Sequence, residues 1–230
     1  MTTLPPQPLG RPLLRDDSTG VEQIRRSDGE RSYQAIVETA ARLATTRGLD
    51  GLSLSYLAAH VGMSKSGLYA HFRSKEQLQM AAVEAAADLV DRAVLAPARS
   101  EADPLARLRT LCERYLFYVQ QVPGGCFFSA AGTEQSTRPG AVRDRVVEHH
   151  RAWFETLKGF VEDAQRRGQL SGTEDPGQLA FEVSGLLRLG NDAYVMFRDP
   201  VFIERARTGI DHRLARAAVS REATNEAGVG

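Results

Sequence analysis

The chemistry this sequence offers is concentrated between Ser53 and Lys75. Ser53, Ser55, Lys65, Ser66, Tyr69, His71 and Lys75 fall within that short window. Hydroxyls, an imidazole and ammonium groups donate to phosphate oxygens, and a lysine also donates to guanine O6 or N7. Elsewhere the chain shows no nucleophile–base set, carboxylate pair or metal-ligand cluster, so the composition does not favour an enzyme. Cys112 and Cys126 have neither metal-ligand nor disulfide-framework spacing, and read as reduced, partly buried thiols. His149-His150 lacks a partner at ligand spacing and reads as surface or packing histidine. No metal and no cofactor are expected.

The elements that hold these donors are short helices. Leu54, Leu57, Ala58 and Val61 form one apolar face at helical spacing. Gly62 stops that helix, as a residue free to take positive φ does. Ser64 caps the next helix, whose inner stripe is Leu68 and Phe72. A helix, a glycine turn and a second capped helix make a helix-turn-helix, a motif whose second helix enters the DNA major groove. Ser74 caps a further helix and, with Gln77, fits a capping box.

The whole chain has 230 residues, 42% of them apolar, with 29 basic and 29 acidic residues. Zero net charge argues against indiscriminate nucleic-acid binding, though not against a local patch. From Glu30 to Lys75 there are six basic residues against three acidic ones, so the excess has the sign DNA requires. No signal peptide and no membrane-length apolar run is legible, and a soluble, cytoplasmic protein without membrane contact is expected.

Read in order, the chain is all-α with about nine helices. Residues 1–28 hold four of the ten prolines and no periodicity, and are expected to form a disordered arm. A first helix is predicted over Glu30–Arg47, closed by Gly48. The fourth starts at Ser74 and is expected to end at Pro97. The fifth begins at Pro104, a short sixth covers Cys126–Ala131, and Glu134–Gly140 reads as a polar connection. Further helices are expected over Ala141–Arg167, Gln178–Phe197 and Val201 to about Ala217, with a frayed tail over residues 220–230. Residues 29–75 would form a helix-turn-helix domain and residues 76–219 a larger helical domain.

The first helix, the Gly62-Met63-Ser64 turn and the run Tyr69-x-His71-Phe72-x-Ser74-Lys75-Glu76-x-Leu78 together resemble the DNA-binding domain of TetR-family transcriptional regulators. The resemblance covers about Glu30 to Leu78 and is highly specific. Gly124-Gly125-Cys126-Phe127-Phe128 and Arg138-Pro139-Gly140-Ala141-Val142-Arg143-Asp144 resemble, less specifically, a subset of the family's ligand-binding domains.

The resemblance implies that Lys65–His71 is the recognition helix. Lys65 and Ser66 would meet base edges. Gly67 either allows close approach to DNA or serves close helix packing. Tyr69 and His71 would clamp phosphates, Tyr69 also packing on the first helix. Lys75 and the free N–H groups beside it form an anion site. Ser53 and Ser55 either contact phosphate or simply cap. Arg26, with Arg25 and Arg31, either reaches an adjacent groove or forms a solvated charge cluster.

The resemblance also implies a homodimer on a palindromic operator, paired through the last two helices. Phe181, Gly185 and Leu189, with Ile203, Arg207, Ile210 and Leu214, are the interface candidates. It further implies an effector pocket between the fourth and eighth helices. Cys112, Tyr115, Tyr118, Phe127, Phe128, Trp153, Leu157, Asn191 and Tyr194 are the candidate linings, each also readable as core. Their composition suits an uncharged or flat apolar ligand. A repressor released by a small molecule is expected, with its fourth helix as the lever. A DNA-bound regulator without an effector, and an all-α enzyme, stay open as alternatives.

Overall fold

A computed structural model describes residues 18–219, and for residues 18–29 it gives the backbone alone. Among the described residues the regular elements are helices, and one isolated antiparallel bridge joins Leu170 to Ala218. The order is α1 (Ser18–Arg47), α2 (Leu54–Val61), α3 (Lys65–His71), α4 (Lys75–Val90 and its continuation), α5 (Pro104–Gln120), α6 (Phe127–Gln135), α7 (Ala141–Arg166), α8 (Pro176–Phe197) and α9 (Val201–Ala217). No helix among the described residues is long and apolar enough to cross a membrane.

The local signals account for most helix ends. Ser53, Ser64 and Ser74 each have extended backbone and accept a backbone N–H three residues on, from Tyr56, Gly67 and Gln77. Each such cap stabilises its helix by about 1 kcal/mol. Gly62 closes α2 at φ 68°, in the left-handed region where a β-carbon is disfavoured. The Gln77 side chain reaches back to accept the Arg73 N–H at 2.8 Å, one residue before the Ser74 N–H that a capping box would satisfy.

Three expectations need correction. α1 begins at Ser18, earlier than Glu30, so part of the stretch expected as an arm is helical. Beyond Pro12 no proline blocks a helical backbone there. Residues 1–17 and 220–230 lie outside the described residues. Pro97 does not end the fourth helix. Asp91–Leu95 widens into a π turn, in which the Ala96 N–H donates to Asp91 O, and helix continues over Ala96–Arg99. The wider turn accommodates a proline that has no N–H for the carbonyl a turn back and whose ring would crowd it. α6 runs on to Gln135, so Glu134 lies on a helix and not in a connection.

Two buried clusters organise the helices. The first joins Ile36, Val37 and Ala40 of α1 to Leu57, Leu68 and Phe72 of the helix-turn-helix and to Leu78, Ala82 and Val83 of α4. It also takes in Phe127 and Ala131 of α6, with Val142 and Val146 of α7. The second is the bundle core of α5, α7, α8 and α9, built on residues such as Leu108, Leu116, Val161, Leu187 and Ile210. α4 and α6 belong to the border between the two. Arg145 of α7 grips Glu84 of α4 through two bonds, Nε–Oε1 at 2.5 Å and Nη2–Oε2 at 2.8 Å.

Candidate nucleic-acid interface and ligand cavity

The helix-turn-helix presents its polar residues outward because its apolar stripe is used inside. Leu68 and Phe72 are buried, while Lys65, Ser66, Tyr69 and His71 are exposed. The first turn of α3 therefore displays an ammonium and a hydroxyl, the residue types that read base edges. Ser64 Oγ accepts the Gly67 N–H and lies 3.1 Å from Ser66 Oγ. A β-carbon at Gly67 would meet only the Ser64 and Met63 side chains, so no helix packs closely enough to demand glycine there. Tyr69 is about half exposed, and the Tyr33 ring stacks on Phe72, with ring centres 5.7 Å apart, behind the surface. Ser53 and Ser55 are exposed at the start of α2, and Ser53 is occupied in capping. Arg26 lies on α1, but its side chain is outside the described residues.

Lys75 has a second task. Its Nζ donates to the Asp50 carbonyl at 2.6 Å, which pins the α1–α2 loop to the start of α4. The side chain is exposed, and two further N–H groups remain for an anion. That loop is held from below as well. Glu134 accepts the Leu49 and Asp50 N–H groups at 2.7 and 2.8 Å, and Gln79 donates to the Leu49 carbonyl at 2.8 Å. Arg138 pairs with the Asp50 carboxylate.

A cavity of about 170 Å³ lies among α4 to α8. Tyr115, Phe128 and Trp153, expected from sequence, line it. Ala87, Val90, Leu95 and Leu187 complete its apolar wall. Its polar side comprises Ser129, His149, His150, Ser184 and Arg188, none of them singled out as a lining residue in the sequence. The Trp153 Nε1–H donates to Ser184 Oγ at 3.1 Å, and His150 Nε2 lies 3.1 Å from the Phe128 carbonyl. Burial lowers the pKa of both histidines, with Arg145 adding to the effect at His149 and Arg188 at His150. His149 Nε2 is buried without a hydrogen-bond partner, and the Glu84 carboxylate lies 3.7 Å away. The wall thus adds Arg188 and the histidine pair to the apolar and aromatic residues expected from sequence.

The other expected linings do not reach the cavity. Cys112 is buried in the bundle core, and desolvation pushes its thiol up to about 12. Tyr118 and Leu157 are core residues, and Phe127 turns away into the cluster beneath the helix-turn-helix. Asn191, 2% exposed, accepts the Cys126 N–H at 2.8 Å and anchors the start of α6. Tyr194 packs partly buried against the bundle core. One repeating signal was available for the missed residues. His149, His150 and Trp153 lie on one side of α7, where a histidine on an apolar stripe marks a polar wall.

The surface of α8 divides as its two apolar sides require. Val183, Leu187 and Gly190 are buried, whereas Phe181 and Leu189 are 63% and 66% exposed, with Gly185 between them. An open groove between α8 and α9 runs past Gly185, Leu189, Gly209 and His212. Gly190 serves the fold itself, since a β-carbon there would meet Ala206 of α9 at 2.5 Å. The expected contributions of α9 are corrected. Ile203, Ile210 and Leu214 are buried in the chain's own core. Arg207 pairs with Glu113 of α5 and Glu204. The stripe Ile203, Ile210 and Leu214 of α9 thus packs within the chain's own bundle.

Two family models match the chain, together covering more than half of it. Residues 36–82 match "Bacterial regulatory proteins, tetR family" and residues 104–210 match "Tetracyclin repressor-like, C-terminal domain". The transcriptional regulator AcuR of Cereibacter sphaeroides is 26% identical over 165 residues, covering 66% of this chain and 71% of that protein. A TetR transcriptional regulator from Chloroflexus aurantiacus superposes with a TM-score of 0.76 at 24% identity, covering 84% of this chain and 98% of that one. AibR, solved in complex with isovaleryl coenzyme A and operator DNA, superposes with a TM-score of 0.62 at 28% identity, covering 78% and 95%.

Proposed function

The chain belongs to the TetR family of bacterial transcriptional regulators, and on that premise we propose that it is a homodimeric repressor released from a palindromic operator by a small molecule held among α4 to α8. The observation that carries the DNA-binding part is α3. It buries Leu68 and Phe72 while exposing Lys65, Ser66, Tyr69 and His71 on one capped helix. One such helix reads too few base pairs for specificity, so two copies on successive major grooves, about 34–36 Å apart, are required. The exposed stripe Phe181, Gly185 and Leu189 supports α8 as the dimer face. A cytoplasmic location follows from work on chromosomal DNA.

The cavity supports effector control by its position. Phe128 and Ser129 of α6 and Ala87 and Val90 of α4 line it, and both helices end against the helix-turn-helix. That AibR was solved with both an acyl thioester and operator DNA supports the same coupling of two ligands in this chain. A ligand that shifts these helices by a coupling energy of about 1–3 kcal/mol would change operator affinity by about 5- to 150-fold. The test is a gel shift of the purified protein on the DNA upstream of its own coding sequence, at low and at physiological salt. A discrete, salt-sensitive complex is expected. Absence of any complex at low salt would overturn the reading.

A further inference from the structure

The cavity adjoins a second space. A groove of about 380 Å³ among α6, α7 and α8 shares His150, Phe154 and Arg188 with it. Arg143 and Arg151 also line this groove, and no carboxylate does. Arg143 is offset by Asp144 at 2.9 Å, and Arg188 by Asp192 at 3.5 Å while it donates to Thr133 Oγ1. Arg151 is exposed and has no ion-pair partner among the described residues. Three arginines line one groove, Arg151 without an ion pair among the described residues, and guanidinium forks bind anionic oxygens in pairs.

The inner cavity has the opposite character. Its volume is close to that of cavities of about 150 Å³ that admit benzene, and Trp153, Phe128 and Leu187 line it. At its polar side His149 Nε2 makes no hydrogen bond and has the Glu84 carboxylate 3.7 Å away; in the tautomer that carries the proton on Nε2 it can donate to a carbonyl. A single free carboxylate needs one cation and would leave Arg143 and Arg151 unused.

We propose that the effector is a small apolar acyl group on a phosphorylated carrier of the coenzyme A class, with the acyl group beside Trp153 and its phosphates over Arg151, Arg143 and Arg188. This rests on the cavity being the effector site. The acyl carbonyl lies toward His149, and the carrier passes Arg188 and Phe154 into the groove. The arrangement separates recognition, with the acyl group sensed inside and affinity supplied outside.

Calorimetry on the full chain tests this with butyryl and benzoyl coenzyme A, free coenzyme A, butyrate and benzoate. At least one acyl coenzyme A is expected to bind about tenfold more tightly than both its free acid and coenzyme A alone. Arg151→Gln is expected to remove about tenfold of that affinity and leave free-acid binding unchanged. Equal binding of the free acid, equal binding of coenzyme A alone, or an unchanged affinity in Arg151→Gln would each overturn the proposal. An operator gel shift on the same preparations separates the two readings. Duplex binding without acyl coenzyme A binding defeats only this inference, whereas loss of duplex binding defeats the proposed function.

Discussion

Glu134 of α6 accepts the Leu49 backbone N–H at 2.7 Å, a bond that joins the bundle to the loop between α1 and α2. The same carboxylate takes the Asp50 N–H at 2.8 Å, and Arg138 holds the Asp50 side chain. Gly48, at φ 74°, makes room, since a β-carbon there would stand 2.7 Å from Glu134 Oε2. α6 begins at the cavity, where Phe128 and Ser129 line the wall, and ends at this loop. The covalent path through α4 is therefore accompanied by a shorter, hydrogen-bonded one through α6.

Removing this carboxylate leaves the part-buried Leu49 N–H and the exposed Asp50 N–H without their acceptor. Glu134→Ala is expected to cost about 1–3 kcal/mol in unfolding free energy by urea titration. Amide exchange at Leu49 and Asp50 should accelerate above the change seen across α8. Unaltered exchange at those two amides would show that the loop does not depend on Glu134.

Lys75 can reach an anion while tied to Asp50. Lys75→Ala is expected to weaken operator and non-operator duplexes alike and to reduce the slope of log affinity against log salt by about one. A slope equal to that of the wild type would remove Lys75 from the phosphate contacts.

His149 and His150 have folded-state pKa values below the ordinary 6.5, chiefly through burial. As pH falls the unfolded chain takes up protons first, so the stability these rings carry is full above about pH 6.5 and is lost as pH drops through their folded values. Thermal melts should show a lower Tm at pH 5.5 than at pH 7.5, and the double substitution His149→Gln with His150→Gln should flatten that difference. The Glu84 carboxyl, lowered by its bond to Arg145, acts only at more acidic pH. A pH dependence identical in the double variant would assign the effect elsewhere.

Leu189 stands on the exposed side of α8 and is free of the chain's own core. Leu189→Asp is expected to weaken self-association by more than about tenfold in sedimentation equilibrium while leaving the helical circular dichroism unchanged. An unshifted association constant would move the dimer face away from this stripe.

The helix-turn-helix was legible because its signals are local. Ser53, Ser64, Ser74 and Gly62 specify caps within a few residues of the groups they satisfy, and the structure shows those bonds. The cavity was legible only in part. A helical stripe says which side of α7 faces inward, but Trp153 on that stripe meets open space and Leu157 four residues on meets packed side chains. That difference depends on how five helices approach one another. The same limit explains α9, where Ile203, Ile210 and Leu214 form an apolar stripe whose use by the chain's own bundle cannot be told from use by a partner. The Glu134 bonds to Leu49 and Asp50 span more than eighty residues of sequence and had no local signature.

The central claim is that α3 reads DNA sequence in a two-fold assembly, and selection of bound duplexes from a random pool tests it most directly. The wild-type protein is expected to enrich an inverted repeat with half-site centres about one helical turn apart. Lys65→Ala should relax the preference at one position in each half-site while retaining the repeat. Enrichment of no motif by the wild type, or an unaltered motif in Lys65→Ala, would contradict the account.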